Sequence, residues 1–368
     1  MGLFSMGPLA FVPSILPASA LGLLAVAVPL FMAPATSPPP AASASSSPGD
    51  AGLHVVSGPA TGPETGPVTG PETGPATGPE TGPATAAREG DGFRILLSVD
   101  MEGVAGAVTP EQLGPGGFEY ARFREFVTAE TLAAIEGARA AGATSFVVAD
   151  SHGNGQNLLI ERFPDDVEII RAWPRPLGMM QGIDESIDAV FFIGYHAAAT
   201  NEAGVRAHTF SSANYAAVVL NGQPVSEGAF NAAVAGHFGV PVALVTGDDV
   251  TIAEMEALLG AVEGVVVKEA LGFHSARTLT PGAAQARIRE GARRAVERLA
   301  AGEFEPHVLG EPPVLELTFK NYRPAEVLSY LATVERAGAR TIRFAAGDMV
   351  EMAMFLQVVG NFEAGLSP

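Results

Sequence analysis

The chain predicts an α/β protein: a mainly parallel sheet flanked by helices, with a smaller C-terminal α/β lobe. Three observations carry that prediction. Ile95-Leu96-Leu97, Phe146-Val147-Val148-Ala149 and Val190-Phe191-Phe192-Ile193 are short, unbroken apolar runs of the kind buried on both faces of a parallel sheet. Helix-forming stretches separate strand-like ones, the alternation expected of βαβ units. Each run ends in side chains able to bind a metal: Asp100 and Glu102 after the first, His152 after the second, His196 after the third. Ligand sites in such sheets lie beyond the carboxyl ends of the strands.

Taken in order, strand 94–100 is followed by a helix near 119–141, then strands 144–150 and 188–194. Residues 215–220 and 223–226 flank Asn221-Gly222, the preferred two-residue hairpin turn. A helix over 227–238 leads to strand 241–246, helix 251–260, strand 264–268 and a long helix 281–301. Strand 312–319, helix 323–337, strand 340–344 and helix 347–360 make up the predicted C-terminal lobe.

The N-terminal part has another character. No Lys or Arg precedes Arg88. Residues 1–45 form an apolar extension or an atypical export signal, without the positive start of a signal peptide. Pro13, Pro17, Pro29 and Pro34 make it a poor membrane helix. Residues 46–90 repeat Thr-Gly-Pro, as in Thr61-Gly62-Pro63, and read as a disordered linker that cannot bury a core. The folded hydrolase domain is expected over 91–368. A cytoplasmic location is expected, with export as the alternative if the apolar segment acts as a signal. No stable membrane partner is expected.

The 368 residues carry a net charge of −19, which argues against a nucleic-acid partner, since phosphate binding needs clustered Lys and Arg. There is no cysteine, so a metal can be held only by His, Asp and Glu. Asp100 and Glu102 are two apart, and at a strand end such side chains share a face. Two adjacent like charges need a cation or a proton between them; each can instead cap a loop or pair with Arg. His152 and His196 can be solvated tips or ligands, and Asp150 is placed to orient an imidazole. His208 reads as a general acid/base, a nucleophile or a polar loop residue. Glu227 opens a helix, where the dipole favours an acid, or completes a dinuclear site. Asp248 and Asp249 read as structural or as supports for the ligands, with direct ligation the lesser alternative, and Thr251 is a candidate cap. The set as a whole points to a metal-dependent hydrolase.

In order and spacing, Ser98-Val99-Asp100-Met101-Glu102-Gly103, Asp150-Ser151-His152, Gly194-Tyr195-His196-Ala197, His208-Thr209 and Pro224-Val225-Ser226-Glu227 resemble the zinc-dependent D-aminopeptidase (DppA-type) family of metallopeptidases. The resemblance covers about 94–360. It implies two zinc ions per subunit, with Asp100 shared between them and Glu102, His152, His196 and Glu227 completing the ligands. It makes His208 the catalytic residue, for which we expect proton transfer or oxyanion stabilisation. It implies short peptides or amides with an N-terminal D-residue as substrates, D-Ala-D-Ala among them, and a homo-oligomeric ring, a decamer in form. Two readings compete with it. A phosphoester hydrolase would want more cations than Arg206 near the site, and a non-catalytic small-peptide binding protein would need neither clustered carboxylates nor His208.

Overall fold

The computed structural model describes residues 92–310 and 312–362. The assignments for 1–45 and 46–90, and the location that depends on them, lie outside the described residues.

The elements in order are β1 (Phe93–Val99), α1 (Pro110–Leu113), α2 (Tyr120–Ala140), β2 (Ala143–Asp150), β3 (Val167–Ile170), β4 (Ala189–Ile193), β5 (Tyr215–Leu220), β6 (Gln223–Pro224), α3 (Glu227–His237), β7 (Val242–Asp248), α4 (Asp249–Leu259), β8 (Glu263–Gly272), β9 (Ser275–Thr278), α5 (Pro281–Ala300), β10 (Val314–Phe319), α6 (Tyr322–Leu328), β11 (Val334–Arg336), β12 (Thr341–Ala345) and α7 (Met349–Phe362). The main sheet has the order β3-β2-β1-β4-β7-β8-β9. All its pairings are parallel except β8 with β9. Every residue of β4 is fully buried, as a central parallel strand should be.

Strand alternation divides the core in two. Ile95, Leu97, Val99, Phe191 and Ile193 pack with Val127 and Ala134 of α2 and Ile288 and Ala292 of α5. Leu96, Val190 and Phe192 pack on the opposite face with Phe230 and Val234 of α3, Leu315 and Leu317 of β10, and Met352 and Leu356 of α7. No helix among the described residues is long and apolar enough to cross a membrane.

The smaller lobe differs from expectation. Its sheet, β11-β12-β10-β5-β6, is antiparallel and takes the β5–β6 hairpin from mid-chain, so the lobe is not purely C-terminal. The hairpin turn itself is as expected, with Asn221 and Gly222 both at positive φ. The helix expected over 323–337 stops at Leu328, and Val334–Arg336 instead pairs with β12. β-branched Thr333 and Val334 favour the extended chain there. Helix α1 and strands β3 and β9 were not anticipated.

Strand order positions the site. β1 lies between β2 and β4, and the chain moves to one side of β1 and later returns to the other, which makes a topological switch point. Register levels the three strand ends: Val99 is paired with Asp150 on one side and Ile193 on the other.

Just beyond, the turns after β1 and β4 touch through their backbones. Asp100 N donates to Ile193 O at 2.8 Å and Gly103 N to Gly194 O at 2.7 Å. Only glycine permits this approach. A Cβ on Gly103 would lie 2.0 Å from Tyr195 O, and one on Gly194, whose φ is +69°, would lie 2.4 Å from Asp100 O. Gly194→Ala is therefore expected to cost about 1–3 kcal/mol from backbone conformation alone, read as a Tm several degrees lower by calorimetry, at roughly 2–4 °C per kcal/mol. An unchanged Tm would contradict the close approach.

Candidate metal centre

Three adjacent strands, one loop and one helix start bring six side chains together. Asp100 and Glu102 follow β1, but not as the strand-face pair the spacing suggested. β1 ends at Val99, and both acids lie in the turn beyond it. They converge because backbone bonds to the β4 turn fold that segment back, and Asp100 Oδ1 accepts from Met101 N at 2.8 Å. Both are buried.

His152 follows β2 and faces the pair, with Nδ1 3.0 Å from Asp100 Oδ1 and 2.8 Å from Glu102 Oε2. Its Nε2 lies 2.6 Å from Leu113 O. Asp150 does not orient this ring. Its carboxylate accepts from Asn157 N at 2.6 Å, Leu158 N at 2.8 Å and Asn157 Nδ2 at 2.7 Å, shaping the loop that carries His152.

His196 follows β4, with Nε2 3.4 Å from Asp100 Oδ2 and 3.2 Å from Glu227 Oε1. Its Nδ1 is 3.1 Å from Ala197 O. Glu227 is the first residue of α3, behind the capping Ser226, whose hydroxyl accepts from Ala229 N. Its Oε1 accepts from Phe210 N at 2.6 Å.

The loop after β4 does return His208 to the site. Its ring stacks on His196, with centroids 4.1 Å apart and planes 7° from parallel, and Nε2 lies 3.6 Å from Glu227 Oε1. The loop is held by Val205 N donating to Asp248 Oδ2 at 2.8 Å, and His208 Nδ1 lies 2.8 Å from Arg206 O. Asp248, not Thr251, caps α4, accepting from Thr251 N and Oγ1 at 2.7 Å each. Asp249 accepts from Ala270 N. Both acids are thus structural, as read. Arg206 points away from the acids, its guanidinium 3.0 Å from His274 Nε2 and over the Phe273 ring.

A common logic links the imidazoles. Each has one nitrogen against a backbone carbonyl, which only an N–H can satisfy. The neutral ring then presents its other nitrogen, as a lone pair, to carboxylate oxygens. Lone pair facing lone pair is repulsive unless a proton or a metal ion lies between. Asp100 Oδ2, Glu102 Oε2 and His196 Nε2 are buried without an aligned hydrogen bond, which buried polar atoms rarely tolerate. The ligand atoms fall into two groups, Asp100–Glu102–His196 and His196–His208–Glu227, each within 4.8 Å. The residues therefore fit a metal, with nitrogen and oxygen donors that suit zinc-like ions. His208, read from the sequence as catalytic, stands among the ligand-type groups.

Without a metal the site draws protons. Burial and then the neighbouring Glu102 push Asp100 up to about 7. Burial opposes charge on His196, but Glu227 and Asp100 outweigh it and raise the ring to about 10. At His152 burial is likewise overcome by Glu102 and Asp100, and the ring is held well above its ordinary value. At Glu102 burial is overcome by His152, and at Glu227 by His196, so both stay below the usual carboxylate range. His208 moves the other way, lowered by burial and by the neighbouring His196.

Sequence reading missed Lys268. Fully buried in the middle of β8, it donates to the carbonyls of Glu102, Val104 (3.1 Å) and Ala107 (2.6 Å). Burial pushes it down to about 8. Nothing in Val265-Val266-Val267-Lys268 announces this, because every partner is backbone far away in the chain.

Asp100, Glu102, His152, His208 and Glu227 floor a cavity of about 380 Å³ walled by Trp173, Phe210, Asn214 and, from α7, Leu356, Gln357 and Gly360. Trp173 is anchored by its indole N–H to Gly153 O and by Arg175 stacked 3.9 Å from the ring.

A parallel α/β sheet with carboxylates and imidazoles converging at its switch point defines the class: an α/β metallohydrolase. The D-aminopeptidase family matches over residues 93–358, and the chain belongs to that family. It is similar to the D-aminopeptidase of Bacillus subtilis (strain 168), at 32% identity over 261 residues, 70% of this chain and 93% of the relative. Among solved structures it is similar to the Zn-dependent D-aminopeptidase DppA from Bacillus subtilis, described as a self-compartmentalizing protease. There the TM-score is 0.68 at 31% identity, covering 72% of this chain and 97% of that one.

A divalent metal has to displace the protons held by His152 and His196. Because their values are raised, both carry those protons at pH 7, so binding should release protons and tighten as pH rises from 6 to 8. Calorimetric titration in buffers of different ionisation enthalpy measures this; a heat independent of buffer would refute it.

Proposed function

We propose that this protein is a zinc-dependent aminopeptidase that hydrolyses short peptides or amides with an N-terminal D-residue. The observation carrying this reading is the convergence of Asp100, Glu102, His152, His196 and Glu227, the acids and His152 lining one cavity, in a chain of the D-aminopeptidase family. The Zn-dependence of the similar DppA supports the metal. Two ions per subunit are proposed. Asp100 would be shared between them, since Oδ1 lies toward His152 and Oδ2 toward His196. When bound, zinc supplies a Lewis acid and lowers the pKa of its water toward about 7.

The remaining work falls to the chain's own side chains. Leu113 O and Ala197 O fix the tautomers of His152 and His196, and so keep ligand lone pairs directed inward. Arg206 O does the same for His208. Lowered by burial and His196, His208 is neutral near pH 7, so Nε2 can take a proton from the attacking water and return it to the departing amine. The ring stacked on His196 keeps that atom in place. The substrate would lie between the walls around Trp173, Phe210 and α7.

The described residues lining this cavity include no Lys or Arg, which favours a peptide over a phosphoester. The assembly we propose is a homo-oligomeric ring, a decamer in form, and the self-compartmentalizing relative supports it.

The central test is D-alanine release from D-Ala-D-Ala by the purified chain with zinc, with L-Ala-L-Ala alongside. Turnover of the D-peptide alone is expected; turnover of neither, or of the L-peptide alone, would remove the assignment. Glu102→Ala and His196→Ala should each lose bound zinc, counted by elemental analysis, together with activity; full zinc occupancy in either would refute its ligand role. His208→Gln should keep wild-type zinc content while kcat falls about 10²–10⁴-fold. Loss of zinc there would make His208 a ligand rather than the proton carrier.

A further inference from the structure

Behind the acidic turn lies a buried charge that the proposed chemistry does not use. Lys268, on β8, is 1% exposed. Its Nζ donates to Glu102 O, to Val104 O at 3.1 Å and to Ala107 O at 2.6 Å. Three acceptors consume all three hydrogens of an ammonium, whereas a neutral amine has only two to give, so the group is charged. The bonds hold the segment that follows Asp100, from Glu102 to Ala107. From the other side Glu130, also buried, accepts from Ala105 N at 3.0 Å in the middle of the same segment. The segment is thus gripped at four of its backbone groups by two side chains that touch neither the cavity nor the imidazoles.

We infer that Lys268 is a positioning residue for the metal centre: its ammonium fixes the turn that holds Asp100 and Glu102 and places positive charge behind them, so that the carboxylates stand preset for the ion. A lysine serving stability alone would need the bonds but not their location, and all three of these end on the ligand-bearing turn. A purely structural lysine would leave zinc affinity unchanged in any variant that folds. The inference rests on the metal assignment made under the proposed function.

The test is zinc affinity, by competition with a chromophoric chelator, of the full chain and its Lys268→Met variant, with Tm measured in parallel. The Met variant keeps the aliphatic stem and loses the ammonium. Zinc should bind about 10–100-fold more weakly, the range for outer-shell partners, and the kcat of the fully loaded enzyme should move less than its affinity. A folded variant with wild-type affinity overturns the inference. A wild-type chain that binds no zinc overturns the metal assignment first, so the two failures are distinguishable.

The chain has no cysteine, which allows a rescue. Lys268→Cys, unfolded, alkylated with 2-bromoethylamine and refolded, regains an ammonium on a stem of lysine length; iodoacetamide gives the uncharged control. Affinity restored by the aminoethyl group and not by the carboxamide supports the positioning role. Equal affinities in the two overturn it. If only the aminoethylated chain refolds and the Met variant does not fold, Lys268 is a folding requirement and the positioning role falls.

Discussion

Three carboxylates, Asp100, Glu102 and Glu227, are buried at one switch point, none more than 5% exposed. The rest of the site answers to that concentration of charge. Two like charges about 4 Å apart repel by about 4 kcal/mol at an effective dielectric near 20, so the arrangement persists only with positive charge supplied at close range. The fold supplies it in layers. Backbone N–H groups of Met101 and Phe210 point at Asp100 and Glu227. Lys268 adds a positive charge behind the turn. The imidazoles take up protons where no metal holds the carboxylates, as the raised positions of His152 and His196 record.

Seen this way, the acids of the site divide by what their oxygens face. Asp150 and Asp248 spend theirs on backbone N–H groups and so build loops. Asp100 and Glu102 each keep a buried oxygen with no aligned donor. The first pair sets where His152 and His208 stand, and the second is left for a cation. Scaffold and ligand are the same residue type, one or two positions from each other or from the site motifs, separated only by local hydrogen bonding.

That distinction explains how far the sequence could be read. Strands β1, β2 and β4 were legible because burial on both faces leaves unbroken apolar runs, and the residues at their ends were legible because a parallel sheet levels them. The Asn221-Gly222 turn was legible from backbone chemistry. What failed was non-local. Val334–Arg336 is a strand because β12 is there to pair with it, and the β5–β6 hairpin belongs to the smaller lobe because β10 lies beside it. Asp100 and Glu102 do converge, but not through strand parity: a turn pinned to Gly194 brings them together. Asp150 was given an imidazole it does not touch, and Lys268 passed unseen because carbonyls leave no mark in a sequence.

The reach of Lys268 also bears on how the molecule is made. It grips a carbonyl 166 residues nearer the N-terminus. At about 5–20 residues per second, a ribosome delivers the acidic turn on the order of ten seconds before the lysine that holds it. Glu227 and the histidines of the β4 loop emerge in the interval, so the nascent chain exposes the acidic turn with the imidazoles but without the ammonium that holds its backbone. Premature termination between Glu227 and Lys268 yields a fragment that holds the proposed ligands and lacks the clamp.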